Sequence, residues 1–398
     1  MSPSDRRSRL KDIQPVKFET KSSAKKKWIL FAAAVVVLCI ITVSVILLWK
    51  HFFPDILPPN ATYNAHVLYT STLNSEQKEI VAAPYKNGVV TARRNELSFY
   101  NTKGETVWQL NISLLDPILK VNGNYILLAG KNTQDVYLIK DGKVVLQSAS
   151  TYGILNAGVA KNGTFYIIED EPHYKGKLTV RNAKNQDLFV WHSGASYIID
   201  ATFNDRASQI ALATLTTANL SSENQNSYDA SLLLFKLHEG APYVTQEYKA
   251  QIATNVFLAD GQYIAVTDQG ITAYSAMDGK QTWTYAFAPQ ALQHLDFHNN
   301  KLALVTANSD GTQSLHILKS NGSLYCPPIT GLTNTGYLSL SDNIVAVGSA
   351  NHASVYKLDG TLQYQIALPK SYADIYLFNN GQYLLGTNNI VADVLVTK

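Results

Sequence analysis

The sequence predicts an all-β fold: an eight-bladed β-propeller, with seven blades as the alternative, preceded by a single transmembrane α-helix. Three observations carry this reading. Apolar residues alternate in short runs broken by Asn-Gly and Asp-Gly pairs. That phrase recurs through most of the chain. One long charge-free run stands alone near the N-terminus.

The stretch 260–287, DGQYIAVTDQGITAYSAMDGKQTWTYAF, shows the phrase most clearly. Alternation places every second side chain on one face, the mark of half-buried strands. Asp278-Gly279 supplies the positive φ angles of a tight hairpin. The residue opening the second strand of each unit is Gly88, Gly123, Gly163, Ala207, Gly261, Lys301, Asp342 and Gly381. The mean spacing is about 42 residues, the size of one four-stranded blade. Low charge (16% Asp, Glu, Lys and Arg) with 23 Tyr fits a strand-rich chain.

Residues 1–27 hold nine Lys/Arg and three Asp/Glu and read as a disordered basic tail on the cytoplasmic side. Residues 28–49, WILFAAAVVVLCIITVSVILLW, carry no charge and have Trp at both ends. A helix of that length crosses a hydrocarbon layer of roughly 30 Å. The long tail and the lack of a small-x-small site favour an uncleaved signal-anchor over a signal peptide. The basic flank keeps the N-terminus in the cytoplasm and sends the rest outside the cell membrane. Residues 50–64, with Pro54, Pro58 and Pro59, form an extended linker. Residues 65–398 form the propeller ectodomain. Of the chain's 33 basic and 30 acidic residues, 24 and 27 fall after the tail. A slightly acidic ectodomain gives no electrostatic case for nucleic acid.

Closure follows from counting strands. The last unit, 374–398, supplies three, and 66–72 is a lone strand before the first full unit. Pairing them completes a blade and removes free sheet edges. Turns between first and second strands, and between third and fourth, are short and rich in Gly, Asn and Asp. The remaining connections run longer, at 169–177, 215–229, 308–313 and 327–336. Variable loops on a rigid scaffold are where binding concentrates, so the long-loop face is the expected interaction face. The short-turn face, where 66–72 begins, is expected to look toward the membrane.

Nucleotide, hydrolase and zinc motifs are absent. Three candidate sites remain. Glu169, Asp170, Glu171 and His173 could supply a weak metal site with oxygen ligands for Ca²⁺; Pro172 and Gly176 equally describe a solvated loop. Tyr152, Tyr174, Tyr197, Tyr228 and Tyr372 are expected on the long-loop face, where Tyr rings anchor proteins or stack on sugars. Seven residues before each anchor from Gly123 onward stand Asp116, Asn156, Asp200, Thr254, His294, Thr335 and Asp374. They form a polar ring at the channel mouth, either a ligand site or a set of bonds to the blades' own turns. Cys39 and Cys326 fall in different compartments, so no disulfide is expected. Cys326 reads as an idle or buried thiol.

The segment 276–283, AMDGKQTW, resembles the repeat of pyrroloquinoline-quinone-type propellers, as do NTKGETVW at 101–108 and, less closely, 358–364. The layout is similar to an uncharacterised family of single-pass Gram-positive membrane proteins with a quinoprotein-like ectodomain. Non-enzymatic relatives of that fold include an outer-membrane assembly lipoprotein. Quinone enzymes of the fold carry a vicinal disulfide, which a single ectodomain cysteine cannot make, so no cofactor is expected. The expected function is a membrane-anchored extracytoplasmic binding or scaffold module for a protein partner or cell-envelope glycan. The alternative is a propeller enzyme, either a quinone-dependent dehydrogenase or a carbohydrate-active lyase or hydrolase.

Overall fold

The computed structural model describes residues 35, 42, 44, 61–72, 81–101, 105–217, 228–349, 351–372, 374–378, 383–387 and 391–397. The chain divides into a unit Met1–Ile56 and a unit Leu57–Lys398. In the first, Val35, Thr42 and Ser44 are helical. The expected tail at 1–27 and most of the expected span at 28–49 lie outside the described residues. Among the described residues no helix is long and apolar enough to cross a membrane.

The second unit is all-β, with 32 strands among the described residues. They make seven hydrogen-bonded sheets: six of four strands and one of eight. The six run in order as blades one to six, over 81–110, 117–149, 154–193, 197–248, 253–286 and 291–332. Each is an antiparallel meander, first strand innermost.

The seventh sheet corrects the expected eight blades to seven. Its strands 337–367 form one meander, and Asp374–Phe378, Tyr383–Thr387 and Val391–Thr397 form another. The strand Ala61–Thr72 joins the two. Ala65–Thr72 pairs antiparallel with Val391–Thr397, as the count of strands required. Ala61–Asn64, read from the prolines as linker, pairs parallel with Leu362–Ala367. One strand therefore fuses what the repeat presents as two units into one double-width blade. The innermost strands meet in sequence, those of blades five and six through Phe257 and Phe297, and Asp374–Phe378 returns to Val81–Tyr85 to close the ring.

The core lies between blades. Tyr85, Phe99 and Leu97 of blade one pack with Leu119, Ile126 and Leu128 of blade two. Ile264 and Ile271 of blade five pack with Leu302 and Leu304 of blade six. The outer-strand aromatics belong to this packing. Trp108 meets Tyr85 edge-on at 6.3 Å. Trp283 donates its indole N–H to the Ser320 carbonyl of the next blade at 2.9 Å.

The turn expectations hold in part. First-to-second turns are short in every described case. Two second-to-third connections, 94–95 and 268–269, are short as well. The expected loop at 327–336 is not one loop, because Ile329–Leu332 is the outer strand of blade six. The loop at 215–229 lies mostly outside the described residues. His66 pairs with Val396, near the end of its strand where the third-to-fourth turns lie.

Candidate functional site

Successive innermost strands are tied by side chains at the channel wall. In blades three to six each innermost strand carries a bulge two or three residues in, at 154/156, 198/200, 253/255 and 292/294. A bulge re-aims the residue that follows it. Asn156, Asp200 and His294 occupy that position, and each reaches the next blade. Asn156 Nδ2 donates to Asp200 Oδ1 at 3.4 Å. The N–H of Val256 donates to Asp200 Oδ2 at 3.0 Å. His294 Nε2 donates to the Thr335 carbonyl at 3.0 Å.

Three of the seven expected ring residues thus bond across blades through their side chains, not within their own turns, and a fourth, Thr335, takes part through its backbone. Thr254 is itself the bulged residue and bonds within its blade, donating to the Val266 carbonyl at 3.3 Å. Asp116 is exposed, in a left-handed conformation just before its strand. Asp374 opens its strand, and its side chain lies outside the description.

Sequence reasoning missed two stronger links. Asp296 accepts the N–H of Phe297 at 2.8 Å and that of Leu340, in the next blade, at 2.7 Å. Ser339 Oγ accepts the N–H of Leu377 at 2.8 Å. Neither sits in a motif. Burial pushes the carboxyls of Asp200 and Asp296 above the ordinary range, while the backbone N–H groups pull them back. An enzymatic reading asks for two sunken carboxylates. Both have their oxygens occupied: Asp200 bonds across blades through each, and Asp296 through one, its other oxygen accepting from the adjacent Phe297.

A cavity of about 540 Å³ opens where the first-to-second turns of blades two to six converge. Lys120, Lys161, Asp200, Asp205, Phe257 and Phe297 are among its lining. Phe257 and Phe297, from adjacent blades, stack with centroids 4.8 Å apart. Five blades contribute, so no local stretch of sequence announces the cavity.

The acidic cluster is divided by the structure. Glu169 is fully buried. Its Oε1 accepts the N–H groups of Thr151 (2.9 Å) and Tyr152 (3.2 Å), and its Oε2 accepts from Thr179 (2.7 Å) beside the Lys177 ammonium at 3.3 Å. Glu171 pairs with His192. Asp170 and His173 are exposed. Among the described residues no three His, Cys, Asp or Glu side chains converge as a metal site.

Three of the five expected tyrosines meet on the long-loop side of blades three and four. Lys177 lies over the Tyr152 ring at 5.5 Å, and Lys175 over the Tyr197 ring at 4.9 Å. Tyr174 packs on His192 at 5.0 Å. Tyr174 and Tyr197 remain 46% and 42% exposed, enough for both to offer contact area. Tyr228 is half-buried and is the first described residue after 218–227. Tyr372 corrects the expectation of exposure. It is buried in the double blade, where a Cβ on Gly386 would come within 2.6 Å of its ring. Cys326 is a free, half-buried thiol whose pKa burial pushes up.

Three solved structures share the architecture. BamB from Moraxella catarrhalis matches with a TM-score of 0.55 and 12% identity, over 84% of this chain and 98% of that one. The computationally designed Ika8 protein matches with a TM-score of 0.59 and 14% identity, over 85% and 99%. The C-terminal WD40 domain of Sif2 matches with a TM-score of 0.59 and 10% identity, over 84% and 99%. At such identities the likeness is one of fold, a β-propeller. No curated protein matches in sequence. A family model spans residues 60–394, nearly the whole ring, and the chain belongs to that family, the family of unknown function DUF5711.

Proposed function

We propose that the chain is a propeller scaffold held outside the cytoplasm by its N-terminal apolar segment, and that it docks a partner protein on its long-loop face. One observation carries the docking surface: Tyr152, Tyr174 and Tyr197 gather with Lys175, Lys177 and His192 on one side of blades three and four. Tyr rings supply large contact area at low entropic cost and dominate many protein interfaces. Lysines laid over the rings keep the patch soluble when unoccupied. The propeller beneath is tied blade to blade, so the patch is presented without a large ordering cost on binding. The anchor rests on the charge-free run 28–49 and its basic flank.

The test is crosslinking of the full-length chain in whole cells, wild type against a Tyr174→Ala/Tyr197→Ala variant. A partner captured by the wild type should be lost by the variant at equal expression. An identical set of captured proteins refutes the patch. Protease added to intact cells should cleave the propeller; protection until lysis refutes the placement.

A further inference from the structure

We infer that the short-turn mouth of the channel binds a small acidic sugar: a hydroxylated ring bearing one carboxylate. The site is on the face opposite the tyrosine patch and does not depend on it. Its volume, about 540 Å³, lies in the range of small-molecule sites and suits one or two sugar rings.

The lining sorts into three chemistries. Lys120, from the innermost strand of blade two, and Lys161, from the first turn of blade three, are two exposed lysines that line the cavity. Neither has a carboxylate within 4 Å among the described residues. Asp200, whose charge acts on Lys120, already accepts from Val256 and Asn156. A ligand carboxylate would give these lysines a directly bonded partner, which Asp200, engaged elsewhere, does not. Hydroxyl groups would find acceptors in the Asp205 carboxylate and in Asn122, whose Nδ2 is spent on the Val159 carbonyl at 3.1 Å. The stacked Phe257 and Phe297 supply an apolar shelf for the C–H face of a ring. An anion without hydroxyls would leave the acceptors idle, and a neutral sugar would leave both lysines without a directly bonded carboxylate.

Saturation-transfer NMR and calorimetry on the full-length chain in detergent micelles, at low salt, test this with D-glucuronate as probe and D-glucose as control. Saturable glucuronate binding is expected, at least about tenfold tighter than glucose. Lys120→Ala and Lys161→Ala should each weaken it about tenfold, as loss of a charged hydrogen bond predicts. Unchanged circular dichroism and melting would show that these exposed lysines leave the fold intact. Should glucuronate fail to saturate, should glucose bind equally well, or should both lysine variants bind like the wild type, the assignment is overturned.

Discussion

The indole of Trp283 lies against Gly322 of the next blade, where a Cβ would come within 2.5 Å of the ring. Gly322 closes the third-to-fourth turn of blade six with φ +79°. The same contact recurs between Trp108 and Gly142, at 2.8 Å. The Gly of these turns therefore serves twice. It reverses the chain, and it is the floor on which the preceding blade's outer strand rests. Gly322→Ala combines left-handed strain with a steric clash and should cost about 2–4 kcal/mol. Urea unfolding would measure it. Trp283→Ala in the same chain removes the clash, so the double mutant should lose less than the two single losses added together.

Asp296 needs both of its oxygens as acceptors. The N–H groups of Phe297 and Leu340 occupy one each. Asp296→Asn turns an –NH₂ toward one of them and leaves a donor facing a donor. The expected loss is about 1–3 kcal/mol, even though a buried charge is removed. Ser339→Ala deletes the corresponding acceptor for Leu377 and should cost about 1–2 kcal/mol. A neutral Asp296→Asn variant, as stable as wild type, would show that the link contributes little to holding the blades.

Much of this ring was legible in advance, for local reasons. Strand Asp374–Phe378 falls where the alternation placed it, and the turn residues mark the starts of the second strands to within two residues. The closing pair of first and last strands followed from counting. What was hidden is non-local. The parallel pairing of Ala61–Asn64 lies just after a run of prolines, in a stretch that reads as linker, and it alone turns two units into one sheet. Tyr372 sits among polar neighbours, and only the missing side chain of Gly386 makes room for it. Asp296 is one acidic residue in a β run; nothing nearby says that Leu340 awaits it. The channel cavity is the extreme case, assembled from turns of five blades.

His316 should make stability fall on mild acidification. Thr306 donates its hydroxyl proton to Gln290 Oε1 at 2.8 Å, so it can only accept from His316 Nε2, at 2.9 Å. That fixes the proton on Nε2 and leaves Nδ1 to accept from the Tyr285 hydroxyl at 2.7 Å. The ring is buried and neutral, and burial pulls its pKa below the usual value of 6.5. The unfolded chain therefore takes up the extra proton first. The stabilisation is fully present above pH 6.5 and drains away as pH falls toward the folded-state pKa. Urea midpoints at pH 7.5, 6.5 and 5.5 should fall in that order. His316→Gln should flatten the slope, the difference between the two chains isolating this ring from the other histidines.

Tyr63 is where the fusion of the two meanders can be cut with least damage elsewhere. It precedes the antiparallel part of its strand and meets Tyr364 edge-on, centroids 5.9 Å apart. Tyr364 is buried in the double blade, its hydroxyl pushed up to about 12 by burial and the neighbouring Tyr63. Tyr63→Ala removes an aromatic pair worth about 0.5–1.5 kcal/mol beyond the area it buries. It also loosens the only parallel pairing among the named strands, Ala61–Asn64 on Leu362–Ala367. The pairing of Ala65–Thr72 with Val391–Thr397 stays intact, because it uses a different set of residues. Hydrogen exchange in Tyr63→Ala should therefore rise at 61–64 and 364–367 before it rises at 391–397. Equal acceleration in both segments would mean that the closing strand comes away as one piece, and that fusion of the two meanders adds nothing to the hold of the last one.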